Sequence, residues 1–213
     1  MESNLEIVLE GEPFHLLPQK AIYRPAFNQL IIADLHLGKA THFRKKGIAL
    51  PHQSHTKDID KLHFLLNRWK PTSVLILGDL FHSDYNKEWL WFKSLLMQYH
   101  ETQFILVEGN HDILENGNYA LQNLIKTDII EEENFIFSHH PLKNTSKINF
   151  CGHIHPGIRI FGKAKQVETL SCFYFNKVHF ILPAFGNLTG LFLLEKEENS
   201  DYYLVAYNRI ISY

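Results

Sequence analysis

Five short clusters of aspartate, asparagine and histidine carry side chains that could do chemistry: Asp34-Leu35-His36, Gly78-Asp79, Gly109-Asn110-His111-Asp112, His139-His140-Pro141 and Gly152-His153-Ile154-His155. Carboxylate, amide oxygen and imidazole without thiolate suit Mn, Fe or Zn better than calcium or a structural zinc–cysteine site. In the Asp-x-His and His-x-His patterns, alternate residues of an extended segment project to one side, so both side chains reach a single region. Such a ligand set has a chemical use. Two cations about 3.5 to 4 Å apart clamp the attacking and leaving oxygens of a phosphate displacement, and they lower the pKa of a bound water toward about 7. A carboxylate must bridge them, and the leaving alkoxide still needs a proton. The competing explanation for 14 histidines is a core merely rich in them; it fails because so many polar groups would each need a partner there.

The elements that must position these clusters follow a repeated grammar, an apolar strand that ends in a cluster. Strands are expected at 5–9, 14–17 and 29–33, the last a continuous apolar run suited to burial on both faces, directly before Asp34. Ile59, Leu62, Leu65, Leu66 and Trp69 recur at helical spacing before Pro71, which gives a helix over 54–69. Val74 to Leu77 is a buried strand before Gly78-Asp79, and Trp89, Phe92, Leu95, Leu96 and Tyr99 line a second helix. Further strands at 104–107, 135–137 and 148–151 precede the remaining clusters, with a third helix expected at 119–125. From Arg159 onward the chain is strand-rich, with turn signals at Gly162, Asn176-Lys177, Gly186-Asn187 and 198–201, which reads as a second, mostly antiparallel sheet. Alternating strand and helix followed by strands alone fits an αββα sandwich, two mixed sheets flanked by helices, in a single domain over 1–213. Ligands in such arrangements collect beyond the carboxyl ends of the strands.

Composition bounds the function. Apolar residues make up 45% and charged residues 21%, which supports a sizeable core and argues against disorder. A net charge of −2 leaves no global footprint for nucleic acid or anionic membrane, so any such partner must be held locally. The start MESNLEIVLEGEP lacks a basic, then apolar, secretory pattern, and no apolar stretch approaches the roughly 20 residues of a membrane span, so a cytoplasmic protein is expected. Cys151 and Cys172 sit in apolar runs and read as inert core thiols.

In order, the five clusters match D-x-H, G-D, G-N-H-D/E, H-x-P and G-H-x-H, and over 34–155 the chain resembles the calcineurin-like metallophosphoesterases. The resemblance implies that Asp34, His36 and His155 bind one metal and Asn110, His139 and His153 the other. It further implies that Asp79 bridges them and that His111 protonates the leaving oxygen. Within His139-His140 the ligand position of H-x-P falls on His139, leaving His140 to support a ligand or touch substrate. The protein-phosphatase branch, marked by G-D-x-x-D-R-G, does not fit Gly78-Asp79-Leu80-Phe81-His82-Ser83.

More narrowly, LEIVLEGEPFHLLPQKAIYRP, ADLHLGKATHFRKKGIALP, LILGDLFHS and LPAFGNLTG look like the ligase-associated DNA damage response endonucleases. That implies a Mn-dependent phosphodiesterase or endonuclease acting on single-stranded or nicked DNA in repair, in functional company with a DNA ligase and a helicase, with Fe or Zn as other metals the site accepts. Attack by metal-bound hydroxide with His111 as general acid is the expected mechanism. Independently of any family, Lys39, His42, Arg44, Lys45 and Lys46 form a basic loop after the first cluster where phosphates could pass. Lys39 and Arg44 are the candidate contacts, and His82 is a further candidate for substrate or ligand support. Asp112 either orients His111 or serves the turn. His15, His52, His55, His63, His100 and His179 read as surface or packing residues. Two alternatives stand beside the nuclease: a small-molecule nucleotide phosphodiesterase or pyrophosphatase, and a non-catalytic scaffold of the same fold.

Overall fold

The computed structural model describes residues 3–39, 57–81, 87–112, 121–162 and 166–213. Seven strands form the first sheet: β1 (Leu5–Leu9), β2 (Glu12–Leu17), β3 (Ala21–Arg24), β4 (Gln29–Ala33), β5 (Ser73–Leu77), β6 (Gln103–Val107) and β7 (Leu124–Thr127), side by side in chain order. The strands from β1 to β4 are antiparallel, joined by tight turns, and those from β4 to β7 are parallel. The parallel pairs need crossovers, and these carry the two described helices, α1 (Lys57–Trp69) and α2 (Lys87–Gln98).

Alternation within the parallel strands explains their unbroken apolar sequences. Leu30, Ile32, Val74, Ile76, Phe104 and Leu106 face the helices and meet Leu62, Leu65, Leu66, Phe92, Leu95 and Leu96. Ile31, Ala33, Leu75, Leu77 and Val107 face the other way, onto the second sheet. That sheet contains β8 (Ile130–Glu131), β9 (Phe135–Phe137), β10 (Ile148–Cys151), β11 (Pro156–Phe161), β12 (Val167–Phe175), β13 (His179–Ile181), β14 (Phe192–Leu193), β15 (Asp201–Ala206) and β16 (Arg209–Ser212). Its inner face is phenylalanine-rich: Phe137 stacks on Phe150 at 5.3 Å between centroids, and Phe150 packs on Phe180 at 5.0 Å and on Phe14 of the first sheet at 5.1 Å.

Two mixed sheets packed face to face are therefore present. Among the described residues both helices lie outside the first sheet, whereas the outer face of the second, formed by Ile158, Cys172, Tyr174, Ile181 and Leu204, is packed by Ile154 and Leu194. The second sheet begins at β8 rather than near Arg159; from β11 onward it is mostly antiparallel, as the turn signals imply, while β9, β10 and β13 run parallel to one another. The third expected helix is also corrected. Leu124 and Ile125 belong to β7, whose Leu124 to Thr127 pair with Phe104 to Val107; the vacant edge of β6 offers a full ladder that overrides helical spacing. Residues 113–120 lie outside the described residues. Both cysteines are free and buried, and burial pushes the Cys172 thiol up to about 12, as suits an inert core group. No described helix is long and apolar enough to cross a membrane.

Candidate metal centre

All five clusters emerge at the carboxyl ends of parallel strands, three from the first sheet (β4, β5, β6) and two from the second (β9, β10), so the site straddles the top of the sandwich. The loops are laced together beyond the strands. Asp34 N donates to Gly78 O, His36 N to Asp79 O and Leu37 N to Leu80 O, at 3.2, 2.9 and 2.9 Å, which fixes the first cluster against the second. On the other sheet Gly152 N donates to His139 O at 3.1 Å.

Chain direction at the site is bought with strain. Asp34, His36, Asp79, His153 and His155 all take positive φ, between 48° and 67°, a region costing about 1 kcal/mol or more for a residue with a Cβ. His153 is also the centre of a three-residue turn, since Ile154 N donates to Gly152 O at 2.8 Å, the rare positive-φ form of the γ-turn. Strain of this kind persists only where surrounding contacts over-determine it, and it collects at functional sites. The motif glycines make the crowding possible. A Cβ on Gly78, whose φ is +77°, would sit 2.1 Å from His139 Nδ1, and one on Gly152 would sit 2.4 Å from Asp34 Oδ2.

Both carboxylates are buried, and each is held by one backbone amide: His153 N donates to Asp34 Oδ2 at 2.8 Å, and His111 N to Asp79 Oδ1 at 2.9 Å. Among the described residues, imidazole nitrogens approach them in two groups. In the first, His36 Nε2 and His155 Nε2 face each other at 3.4 Å; His155 Nε2 lies 3.6 Å from Asp34 Oδ1 and His36 Nε2 lies 3.7 Å from Asp79 Oδ2. In the second, His139 Nε2 lies 3.2 Å from His153 Nδ1 and 3.5 Å from Asp79 Oδ1. His139 Nδ1–H donates to Leu77 O at 3.1 Å, which leaves the Nε2 lone pair facing Asp79 and His153, the arrangement expected of a metal-ligating histidine. Asp79 thus has one oxygen toward each group.

This donor set fits divalent cations. Asp34 Oδ1 is buried without a hydrogen bond, and pairs of imidazole nitrogens confront each other across gaps that a cation between them would satisfy. Three sets, Asp34 with His36 and His155, Asp34 with Asp79 and His139, and His139 with His140 and His153, each bring their ligand atoms within 4.8 Å of one another. His140 joins at the rim: it is exposed, with ring centroids 4.1 Å from His153 and 4.6 Å from His139. Burial, reinforced by the neighbouring imidazoles, holds His140 and His153 below the ordinary histidine range, which favours the neutral, ligating form.

Asn110 and His111 are exposed; His111 sets its ring 5.6 Å from that of His36, while its amide is anchored on Asp79. Lys39 is half-buried at the end of the first loop, where burial lowers its pKa and the Asp79 and Asp34 carboxylates oppose that shift. The other expected contacts, His42, Arg44, Lys45, Lys46 and His82, lie outside the described residues. Asp112 turns out to serve the loops: its carboxylate accepts from Gly109 N and Leu80 N, both at 2.9 Å, and from Phe81 N at 3.4 Å, tying the third cluster to the second. Its burial pushes the carboxyl up to about 6, against those three amides. Of the remaining histidines, His63 lies 3.1 Å from Tyr99 Oη and His179 2.8 Å from Leu142 O, as packing residues do.

A sixth strand end contributes without supplying a ligand. β13 runs parallel to β10, and the segment after it lies under the first cluster, with Phe185 N donating to Ala33 O at 2.8 Å and Gly186 N to Asp34 O at 3.1 Å. In the sequence Gly186-Asn187 carries a turn signal and lies in the resemblance segment LPAFGNLTG, but nothing local links it to Asp58 and Lys61 of α1, which hold this segment.

Residues 27–207 match the sequence pattern of the family described as calcineurin-like phosphoesterase. Among solved structures, the chain is similar to the Pseudomonas putida nuclease MPE, with 26% identity and a TM-score of 0.81 over 95% of this chain and 97% of that one. It also aligns with Yfce, a phosphoesterase from E. coli, at 14% identity and a TM-score of 0.44 over 86% of this chain and 96% of that one. No curated protein sequence matches it.

Proposed function

Because this chain belongs to the calcineurin-like phosphoesterases and is a metal-dependent phosphoesterase, we propose that it hydrolyses phosphodiester bonds in DNA. The metal ligands in this reading are Asp34, His36, Asp79 and His155 for one ion and Asp79, Asn110, His139 and His153 for the other. When bound, two divalent ions supply Lewis acidity toward the phosphate and a water-derived nucleophile at neutral pH; Mn is our first choice. The observation that carries the assignment is Asp79, whose two oxygens face imidazoles of different groups at 3.7 and 3.5 Å, the placement a bridging carboxylate needs.

The chain's own residues then have distinct tasks. The amides of His153 and His111 orient the two carboxylates, and Leu77 O sets the tautomer of His139. His111, at the open rim beside His36, donates a proton to the departing alkoxide oxygen. Lys39 and His140 flank the opening and neutralise or hydrogen-bond the phosphate.

DNA as substrate is supported by the similarity to a nuclease over 97% of that chain, together with the basic residues after the first cluster. It agrees with the narrower resemblance to the ligase-associated endonucleases, and a place in DNA repair beside a ligase and a helicase, in the cytoplasm, is part of the same proposal. The test is metal-free protein reloaded with Mn and assayed on bis(p-nitrophenyl) phosphate, on single-stranded, nicked and duplex DNA, and on cyclic and linear nucleotides. Cleavage of the diester and of DNA is expected. Turnover confined to nucleotides would replace the nuclease by the small-molecule alternative, and absence of turnover on every substrate by the scaffold.

A further inference from the structure

Helix α1 carries two charged side chains that the chemistry described above does not use, and both are turned inward. Asp58, in its first turn, is buried and accepts three hydrogen bonds from one residue: Asn187 N reaches Oδ1 and Oδ2 at 3.1 and 3.2 Å, and Asn187 Nδ2 reaches Oδ1 at 2.7 Å. One turn on, Lys61 Nζ lies 3.6 Å from Asp58 Oδ1, donates to Phe185 O and sits 3.8 Å from the centre of the Phe185 ring. The two side chains therefore grip both ends of the segment Phe185-Gly186-Asn187. Between those grips, the amides of Phe185 and Gly186 take the carbonyls of Ala33 and Asp34. The approach is so close that a Cβ on Gly186 would sit 2.5 Å from Leu35 O.

Asp34 needs such a support. Its backbone is left-handed at φ 52°, its Oδ1 is buried without a hydrogen bond, and a residue in that state holds its place only when its neighbours fix it. A purely structural contact would be made more cheaply by apolar side chains. Burying an ammonium and a carboxylate together costs desolvation, and here burial lowers the Lys61 ammonium to about 7 and raises the Asp58 carboxyl.

We infer that Asp58 and Lys61 are positioning residues for the first metal group, acting through Asn187 and Phe185 on the backbone that presents Asp34 and His36. The inference rests on the reading of Asp34 as a metal ligand. Supports of this kind, one contact removed from the ligand, typically contribute about 10- to 100-fold in metal affinity.

Calorimetric titration of the metal-free full-length chain with Mn tests it. In a His153→Ala background, which removes one ligand of the second group, Asp58→Ala is expected to weaken Mn uptake by about 10- to 100-fold. In a His155→Ala background, where the remaining site is the second group, the same substitution is expected to leave uptake unchanged. In the otherwise native chain, the Mn concentration for half-maximal hydrolysis of bis(p-nitrophenyl) phosphate rises by the same factor, while the rate at saturating Mn stays within about twofold. Asn187→Ala, at an exposed residue, gives the same pattern and serves if Asp58→Ala does not fold. A fall in thermal midpoint with Mn affinity intact in both backgrounds would overturn the inference and leave a structural clasp. Failure of the wild-type chain to take up Mn at all would overturn the reading of the site and the inference with it.

Discussion

The two ends of the sandwich both bury charge and do opposite things with it. At the amino end of the parallel strands, Arg24 is 1% exposed, and its guanidinium forks Glu12 of β2 and Glu132 beyond β8, with Nη2 at 3.0 Å from Glu12 Oε2 and Nη1 and Nη2 at 2.9 and 2.6 Å from Glu132. The Phe27 ring lies 4.0 Å from its central carbon, and the rings of Phe14, Phe135 and Phe137 surround it. There the charges are complementary and the acceptors filled. At the carboxyl end, carboxylates and imidazoles converge at 3.2 to 3.7 Å on strained backbone, with Asp34 Oδ1 buried without a hydrogen bond. The first arrangement is complete in itself and staples the two sheets. The second is incomplete without cations, and its strain is what a binding site retains at a cost in stability.

Substitutions at the two ends should therefore separate activity from stability. The largest effect is expected of Asp79→Asn and His111→Ala, each lowering turnover of bis(p-nitrophenyl) phosphate by more than about a hundredfold while leaving the thermal midpoint near that of the metal-free native chain. At the other end, Arg24→Met leaves the half-buried Glu12 and Glu132 without their counter-charge and should cost about 1 to 3 kcal/mol of stability with turnover per folded molecule retained. A denaturant titration read beside the rate checks both halves; an Arg24 variant as inactive as the Asp79 variant would erase the distinction.

Metal removal sharpens the same contrast. Each site filled at 100 times its dissociation constant adds about 2.7 kcal/mol to the folded state, so chelation should lower the midpoint of the native and Arg24→Met chains alike and leave Asp79→Asn little changed. Differential scanning calorimetry with and without chelator measures this.

A pH dependence is also expected beneath the first cluster. Burial takes the Lys61 ammonium from its ordinary 10.5 to about 7, so between those values the unfolded chain holds a proton that the folded chain has released. More protons on the unfolded side means that stability rises with pH across that window, and the burden is fully present below about 7. Lys61→Met should flatten the rise; unfolding measured from pH 7 to 10 with the same slope in both chains would assign the slope elsewhere.

Much of the carboxyl end was legible in the sequence because its signals are local. A run such as Leu30-Ile31-Ile32-Ala33 that is apolar on both faces can only be a buried strand in this context, and the residue after it must then lie at a strand end. Five repeats of that pattern put Asp34, Asp79, Asn110, His139 and His153 just beyond the carboxyl ends of strands. What was hidden depends on contacts distant in sequence. Leu124 and Ile125 fit a helix until the edge of β6 claims them, and Asp58 is one more polar residue on a helix until Asn187, 129 residues on, reaches it. Of the two roles open to Asp112 in the sequence, closing the turn is met by its bond from Gly109 N, and its bonds from Leu80 and Phe81 add one that only the fold reveals, joining two loops. Left-handed backbone is commoner at aspartate and histidine than at most residues, but that preference does not say which of them adopt it; here it is imposed by the loops laced around them.

If Asp79 joins the two metal groups into one reacting centre, Mn uptake and diester hydrolysis measured together in the native chain and in Asp79→Asn should show it. Two Mn per native chain are expected, with weakened uptake at both groups in the variant and hydrolysis reduced by more than about a hundredfold. Native hydrolysis in the variant, or hydrolysis by the native chain with its metal stripped, would contradict it.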